Sequence, residues 1–212
     1  MLTPDHRDRL LHLLHGKSGY VTSAEVTAAG LPRVELTRLL QAGQLVRLAR
    51  GVYRLADLGD LPPADAEATD LLEVQLRFPA ARPCLVSALH LHGLTTTRPT
   101  HLQFAVPGNR QALHFPDLPL ETYYFSPELY SSGLTTLDVR GRTLTTYTPE
   151  KALVDLLRYA PKFGRDLYLE GLKNVLRERR LDRSQLTLHA RAARVWTELA
   201  RDLEVLGHDQ DR

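Results

Sequence analysis

Three arginines, Arg47, Arg50 and Arg54, interrupt the otherwise apolar run QLVRLARGVYRL, residues 44–55. A guanidinium is permanently charged and presents a planar fork of donors, so arginines gathered in one place suit phosphate or carboxylate. Their spacing of three and then four is helical. Gly51 and the β-formers Val52 and Tyr53 oppose a helix and favour a hairpin turning at Arg50-Gly51. In that hairpin Arg47 faces Arg54. Val46, Leu48, Tyr53 and Leu55 share one face, and Arg47, Ala49, Val52 and Arg54 the other. Two like charges directly opposite each other cost a few tenths of a kcal/mol, a cost that an anion held between them would reverse.

Other chemistry-bearing residues form weaker patterns. His90 and His92 share a face only on a strand, and no carboxylate or thiol stands at ligand spacing beside them. Asp117, Glu121 and Asp138 are scattered, with Arg140 rather than a lysine after the last, so a nuclease or other hydrolase is a distant third reading. No phosphate-cradling glycine loop and no nucleophile elbow occurs. Cys84 is the single cysteine, which excludes an internal disulfide and a cysteine-based zinc site. No catalytic residue, metal or cofactor is therefore expected.

The elements that precede the arginine run give it a setting. Leu10, Leu11, Leu13 and Leu14 have helical spacing over residues 5–15, after a start at Thr3-Pro4. Thr22-Ser23 opens a short second helix that Gly30 ends, and Pro32 opens a third that Gly43 closes. Two short helices on a tight turn followed by a two-stranded ribbon describe a winged helix-turn-helix, whose third helix enters the DNA major groove. Leu36, Leu39 and Leu40 form its apolar side. Arg33, Thr37 and Gln41, with Val34 and Arg38 beside them, form the other, and these side-chain types reach base edges. Glu35 either accepts from cytosine or pairs with Arg38. Ser23, at a helix start, and Lys17, in the preceding turn, would join Arg47, Arg50 and Arg54 on phosphates.

Charge distribution agrees. Residues 1–55 hold eight Lys/Arg and four Asp/Glu, residues 56–150 six and eleven, and residues 151–212 thirteen and ten. The two ends, not the centre, suit a polyanion. The expected organisation is a winged head over 1–56, a linker over 57–66 rich in Pro, Gly and Asp, and an α+β domain over 67–212 ending in helices. In this second part a helix is expected over 65–78 and another over 86–92. Strands follow at 102–106, 121–125, 134–139 and 143–148, the last two forming a hairpin. A helix starts at Thr148-Pro149, with two or three more over 165–206. Lys151 stands against the dipole in that helix's first turn, which points to a carboxylate partner or to plain solvation. Trp196, the only tryptophan, reads as core. The basic stretch KNVLRERRLDR, with Arg191, Arg194 and Arg201, either extends the footprint on DNA or is a solvated face. No stretch approaches a membrane span and the first residues do not resemble a secretion signal, so the cytoplasm is the expected compartment and no membrane partner is expected.

In order and spacing, VTSAEVTAAGLPRVELTRLLQAGQLVRLARGVYRL, SALHLHGLTT, SGLTTLDVRGRTLTTYTPEKALVDLLRY and LEGLKNVL resemble the AbiEi-type antitoxins and related bacterial transcriptional regulators. The resemblance implies a winged head that binds inverted repeats in its own promoter and represses it. It also implies a body that counters an AbiEii-type nucleotidyltransferase toxin without necessarily binding it. Orphan regulators without an adjacent toxin share the pattern. Pro149, Glu150 and Lys151 match a family motif and are taken as structural. Beside this reading stands a protein-interaction module that acts on a toxin or another regulator without specific DNA binding.

Overall fold

The computed structural model describes residues 5–58, 65–178 and 181–210. Thr3-Pro4, residues 59–64 of the expected linker and 179–180 of the basic stretch lie outside them. The fold is mixed α and β and ends in helices, and the chain divides into two compact units.

The first unit takes in the chain to Pro79 with 114–118 and 138–144. It opens with α1 (His6–Gly16), β1 (Tyr20–Thr22), α2 (Ser23–Ala28), α3 (Val34–Gln41), β2 (Leu45–Ala49), β3 (Val52–Leu55) and α4 (Ala66–Arg77). Thr22 caps α2 through a reciprocal box with Glu25, and Asp65 caps α4 by accepting from the Glu67 and Ala68 N–H groups. Leu10, Leu14, Val21, Val26, Leu31, Leu36, Leu39 and Leu45 make one buried cluster that ties the three helices to the sheet, with Leu11, Leu13, Leu40, Tyr53 and Leu55 packed around it. The helices and strands are consistent with a winged helix-turn-helix. The sheet has three strands, in the order β1-β3-β2, all antiparallel. The three-residue β1 has no period long enough to be read from sequence.

The hairpin register differs from the sequence reading. Leu45 pairs with Leu55, Val46 with Arg54, Arg47 with Tyr53, and Ala49 with Val52, so Leu48 is the extra residue of a bulge. The Arg47–Arg54 opposition is absent, and with it the argument for an anion clamped between the two. The cause is the turn. Gly51 has φ of +81° but Arg50 is not among the residues with positive φ. The two-residue turns whose twist suits a hairpin need positive φ at the first position, so this turn splays the strands and the bulge restores pairing. The face assignment changes as well. Tyr53 and Leu55 pack on the helical core, Ala49 and Val52 are also buried, and Val46 is 39% exposed.

The second unit comprises 80–113, 119–137 and 145–212. It contains β4 (Arg82–Pro83), α5 (Leu85–Leu91), β5 (Leu102–Pro107), β6 (Leu120–Phe125) and α6 (Pro127–Ser131). The hairpin of β7 (Leu134–Val139) and β8 (Arg142–Tyr147) follows, and its residues 138–144 group with the first unit. Then come α7 (Pro149–Arg158), α8 (Ala160–Phe163), α9 (Asp166–Arg177), α10 (Arg183–Ala192) and α11 (Trp196–Gln210). β5 and β6 pair in parallel, with β4 antiparallel at the other edge of β5. Helix α7 is the centre: Thr148 caps it, Pro149 opens it, every residue from Glu150 to Leu157 is buried, and α5, α9 and α10 pack against it. Lys151 is 1% exposed and pairs with Asp155 at 2.5 Å, while its ammonium lies 4.8 and 4.9 Å from the Phe125 and Tyr147 ring centroids. The lysine that stood against the dipole is thus held by a carboxylate one turn on.

Candidate nucleic-acid interface

Five side chains expected at the site stand on the exposed side of α3 and at its start: Arg33, Val34, Thr37, Arg38 and Gln41 are all exposed, whereas Leu36 and Leu39 are buried and Leu40 packs on the core. This is the division the 3.6-residue period dictates for a helix with one leucine stripe. Arg33 is the N-cap of α3, so the helix starts at Val34 rather than at Pro32. Its Nε donates to Thr27 Oγ1 at 3.1 Å, which fixes the stem of the guanidinium without meeting its charge. Arg38 pairs at 2.5 Å with Glu35, whose carboxylate is 7% exposed, so Glu35 takes the second of its two expected roles.

Alongside α3 lies a groove of about 530 Å³ lined by Ser23, Arg33, Leu36, Thr37, Arg47, Arg50, Gly51, Tyr53 and Arg77. Arg47 and Arg50 come from the hairpin, and Arg77 from the last turn of α4, where it lies 5.1 Å from the Phe78 ring centroid. Among the described residues, none of Arg33, Arg47, Arg50 and Arg77 has an acidic partner, and no acidic side chain lines the groove. Four permanent cations without a counterion are an electrostatic feature that the fold itself does not consume. Arg77 was not singled out in the sequence, because a cation in the last turn of a helix is what the dipole favours anyway.

The remaining expected residues lie elsewhere or are already engaged. Arg54 turns to α4 and meets Glu73 at 3.4 Å, and Tyr20, its neighbour across β1, donates to the same carboxylate oxygen at 3.0 Å. Burial pushes the Glu73 carboxyl above its ordinary range, against the Tyr20 hydrogen bond and the Arg54 charge, and burial with the Glu73 charge pushes the Tyr20 hydroxyl up to about 12. Lys17 donates to Glu25 at 2.9 Å, and Arg142 reaches the same oxygen at 3.2 Å. Burial works to raise Glu25, but the Lys17 and Thr22 hydrogen bonds and the Arg142 charge outweigh it and hold the carboxyl below its ordinary range. Ser23 lines the groove, yet its backbone N–H is taken by the Gly51 carbonyl at 2.9 Å rather than left for a phosphate. Gln41 and Arg38 remain on the helix face outside the groove.

Of the two histidines singled out in the sequence, His92 is placed by a hydrogen bond. His92 Nε2 lies 2.7 Å from the Tyr147 carbonyl, and among the described residues no three His, Cys, Asp or Glu side chains stand close enough to hold a metal. No helix among them is long and apolar enough to cross a membrane.

Residues 8–56, from α1 to the end of the hairpin, match a family model described as a transcriptional regulator, AbiEi antitoxin, the family that the sequence motifs resemble. No curated protein matches the chain.

Proposed function

We propose that this protein is a sequence-specific DNA-binding repressor of the AbiEi antitoxin type, acting at inverted repeats in its own promoter. The observation that carries the reading is the exposed polar face of α3 beside a groove with four arginines and no acid. Arg33, Thr37, Arg38 and Gln41 read base edges, and Arg47, Arg50 and Arg77 grip phosphates. Lys17 and Arg54 contribute less, since each meets a carboxylate and is largely covered, whereas Arg38 stays 66% exposed beside Glu35. Ser23 contributes through its hydroxyl. The regulatory family matched by residues 8–56 supports the same reading.

In this account the protein is a cytoplasmic regulator without chemistry of its own, and the second unit opposes a nucleotidyltransferase toxin. A footprint on the DNA upstream of its gene tests the DNA half. Protection of an inverted repeat, lost on Arg33→Ala/Thr37→Ala while binding to unrelated DNA persists, is the expected result. Equal affinity for all sequences would overturn specific readout. Relief of growth arrest on co-expression with the neighbouring toxin gene tests the other half.

A further inference from the structure

In the second unit, the end of α7, α8, the start of α9 and the α10–α11 junction enclose a pocket of about 430 Å³ lined by Leu157, Arg158, Ala160, Pro161, Arg165, Arg194, Val195 and Glu198. Arg158 has its guanidinium 4.9 Å from the Phe125 ring centroid and 4.8 Å from that of Tyr159, and its Nε and Nη2 are shut off from solvent without a hydrogen-bond partner. The two ring faces hold the buried side of the guanidinium, and Nη1, the one nitrogen not shut off from solvent, is left to meet a ligand.

The local charge points the same way. Asp155 is engaged by Lys151, and Arg158 has no acidic partner of its own among the described residues. One positive charge is therefore left over at the base of the pocket. Arg194 adds a second. It has no partner among the described residues and holds a left-handed backbone, φ +61°, at the α10–α11 junction. Arg165 is fixed by both oxygens of Asp202, at 2.6 and 2.5 Å, and Glu198 is the one acidic residue in the lining. Leu157, Ala160, Pro161 and Val195 give an apolar wall, and the volume lies within the range of small-molecule sites.

We infer that this pocket binds a phosphate monoester, with its phosphate on Arg158 and Arg194 and a small organic body against Leu157, Pro161 and Val195. A phosphate monoester carries about two negative charges near neutral pH, which matches the two unpaired guanidiniums, and its oxygens suit the guanidinium fork. The site is independent of the DNA reading.

The test is calorimetric titration of the full chain with adenosine 5′-monophosphate, inorganic phosphate and adenosine, read in parallel by the fluorescence of Trp196, which adjoins Val195 in the sequence. The monophosphate is expected to bind saturably, inorganic phosphate more weakly, and adenosine not at all. Arg158→Gln and Arg194→Gly should each weaken the monophosphate by about tenfold or more, the loss of one charge-assisted contact. Glycine adopts the Arg194 backbone freely, so Arg194→Gly keeps its thermal midpoint and remains informative if Arg158→Gln misfolds. Absence of saturable binding, adenosine equal to the monophosphate, inorganic phosphate as tight as the ester, or wild-type affinity in Arg194→Gly would each overturn the proposal.

Discussion

The backbone N–H of Ser23 donates to the carbonyl of Gly51 at 2.9 Å, so the tip of the β2–β3 hairpin is tied to the first turn of α2. This bond sets where Arg50 and Arg47 stand relative to α3, and it depends on a turn that holds Gly51 at φ +81°. A side chain in that conformation costs about 1–2 kcal/mol. Gly51→Ala should therefore lower stability by that amount in urea unfolding followed by circular dichroism. Space is not the cause, since the nearest atom to an added Cβ is Ser23 Oγ at 3.5 Å. A mutant as stable as the wild type would mean the turn is not held as described.

The hairpin arginines should separate by role. Arg54→Ala leaves Glu73 and Tyr20 buried with one partner fewer, and its expected cost is about 1–3 kcal/mol of stability with little change in DNA affinity. Arg47→Ala/Arg50→Ala removes exposed cations without partners, and stability should stay within about 0.5 kcal/mol of wild type. Denaturation midpoints and binding isotherms on the three proteins check both halves of the contrast.

Alkaline pH should expose Tyr20. Between its ordinary value of 10.0 and about 12 the folded chain retains a proton that the unfolded chain releases, so rising pH favours unfolding across that interval. Tyr20→Phe removes this component. The stability difference between wild type and Tyr20→Phe should be constant below pH 10 and shift against the wild type above it, measured by urea unfolding at successive pH values.

The Lys151–Asp155 pair is a different case, because both side chains are buried. Removing one partner strands the other charge, and Lys151→Met should cost about 3–5 kcal/mol. Lys151→Met/Asp155→Leu should recover most of that loss, as apolar replacements of buried pairs often do. Unfolding free energies of the single and double mutants give the comparison. A double mutant no better than the single would show that the cost comes from packing against Phe125 and Tyr147 rather than from charge.

The helices of the head and the leucine stripe of α3 were legible because their periods and caps span several residues. So was α7, from Thr148-Pro149 and its apolar spacing. The hairpin register was not, and the second hairpin shows why. Arg50-Gly51 and Arg140-Gly141 are the same dipeptide, yet Arg140 has φ of +54° and Arg50 does not. In the second turn the Gly141 N–H donates to Asp138 Oδ1 at 3.0 Å, and the Arg140 Nε reaches Thr69 Oγ1 at 3.5 Å. The surroundings, not the two residues, choose the turn, and with it whether a bulge is needed. The parallel pairing of β5 and β6 was equally hidden, since it depends on a crossover through 108–119 that carries no periodic signal. Of the groove, Arg33, Thr37, Arg47 and Arg50 could be foreseen from chain-local pattern. Arg77 could not, because it reaches the groove from an element beyond the expected linker.

The salt dependence of binding to the promoter DNA tests the central claim most directly. For duplex DNA, the log–log slope of affinity against salt is about −0.9 per phosphate neutralised. The account predicts a steep slope for the wild type, shallower by about 1.8 for Arg47→Ala/Arg50→Ala and unchanged for Arg54→Ala. A slope near zero in the wild type, or one that Arg47→Ala/Arg50→Ala leaves untouched, would contradict it.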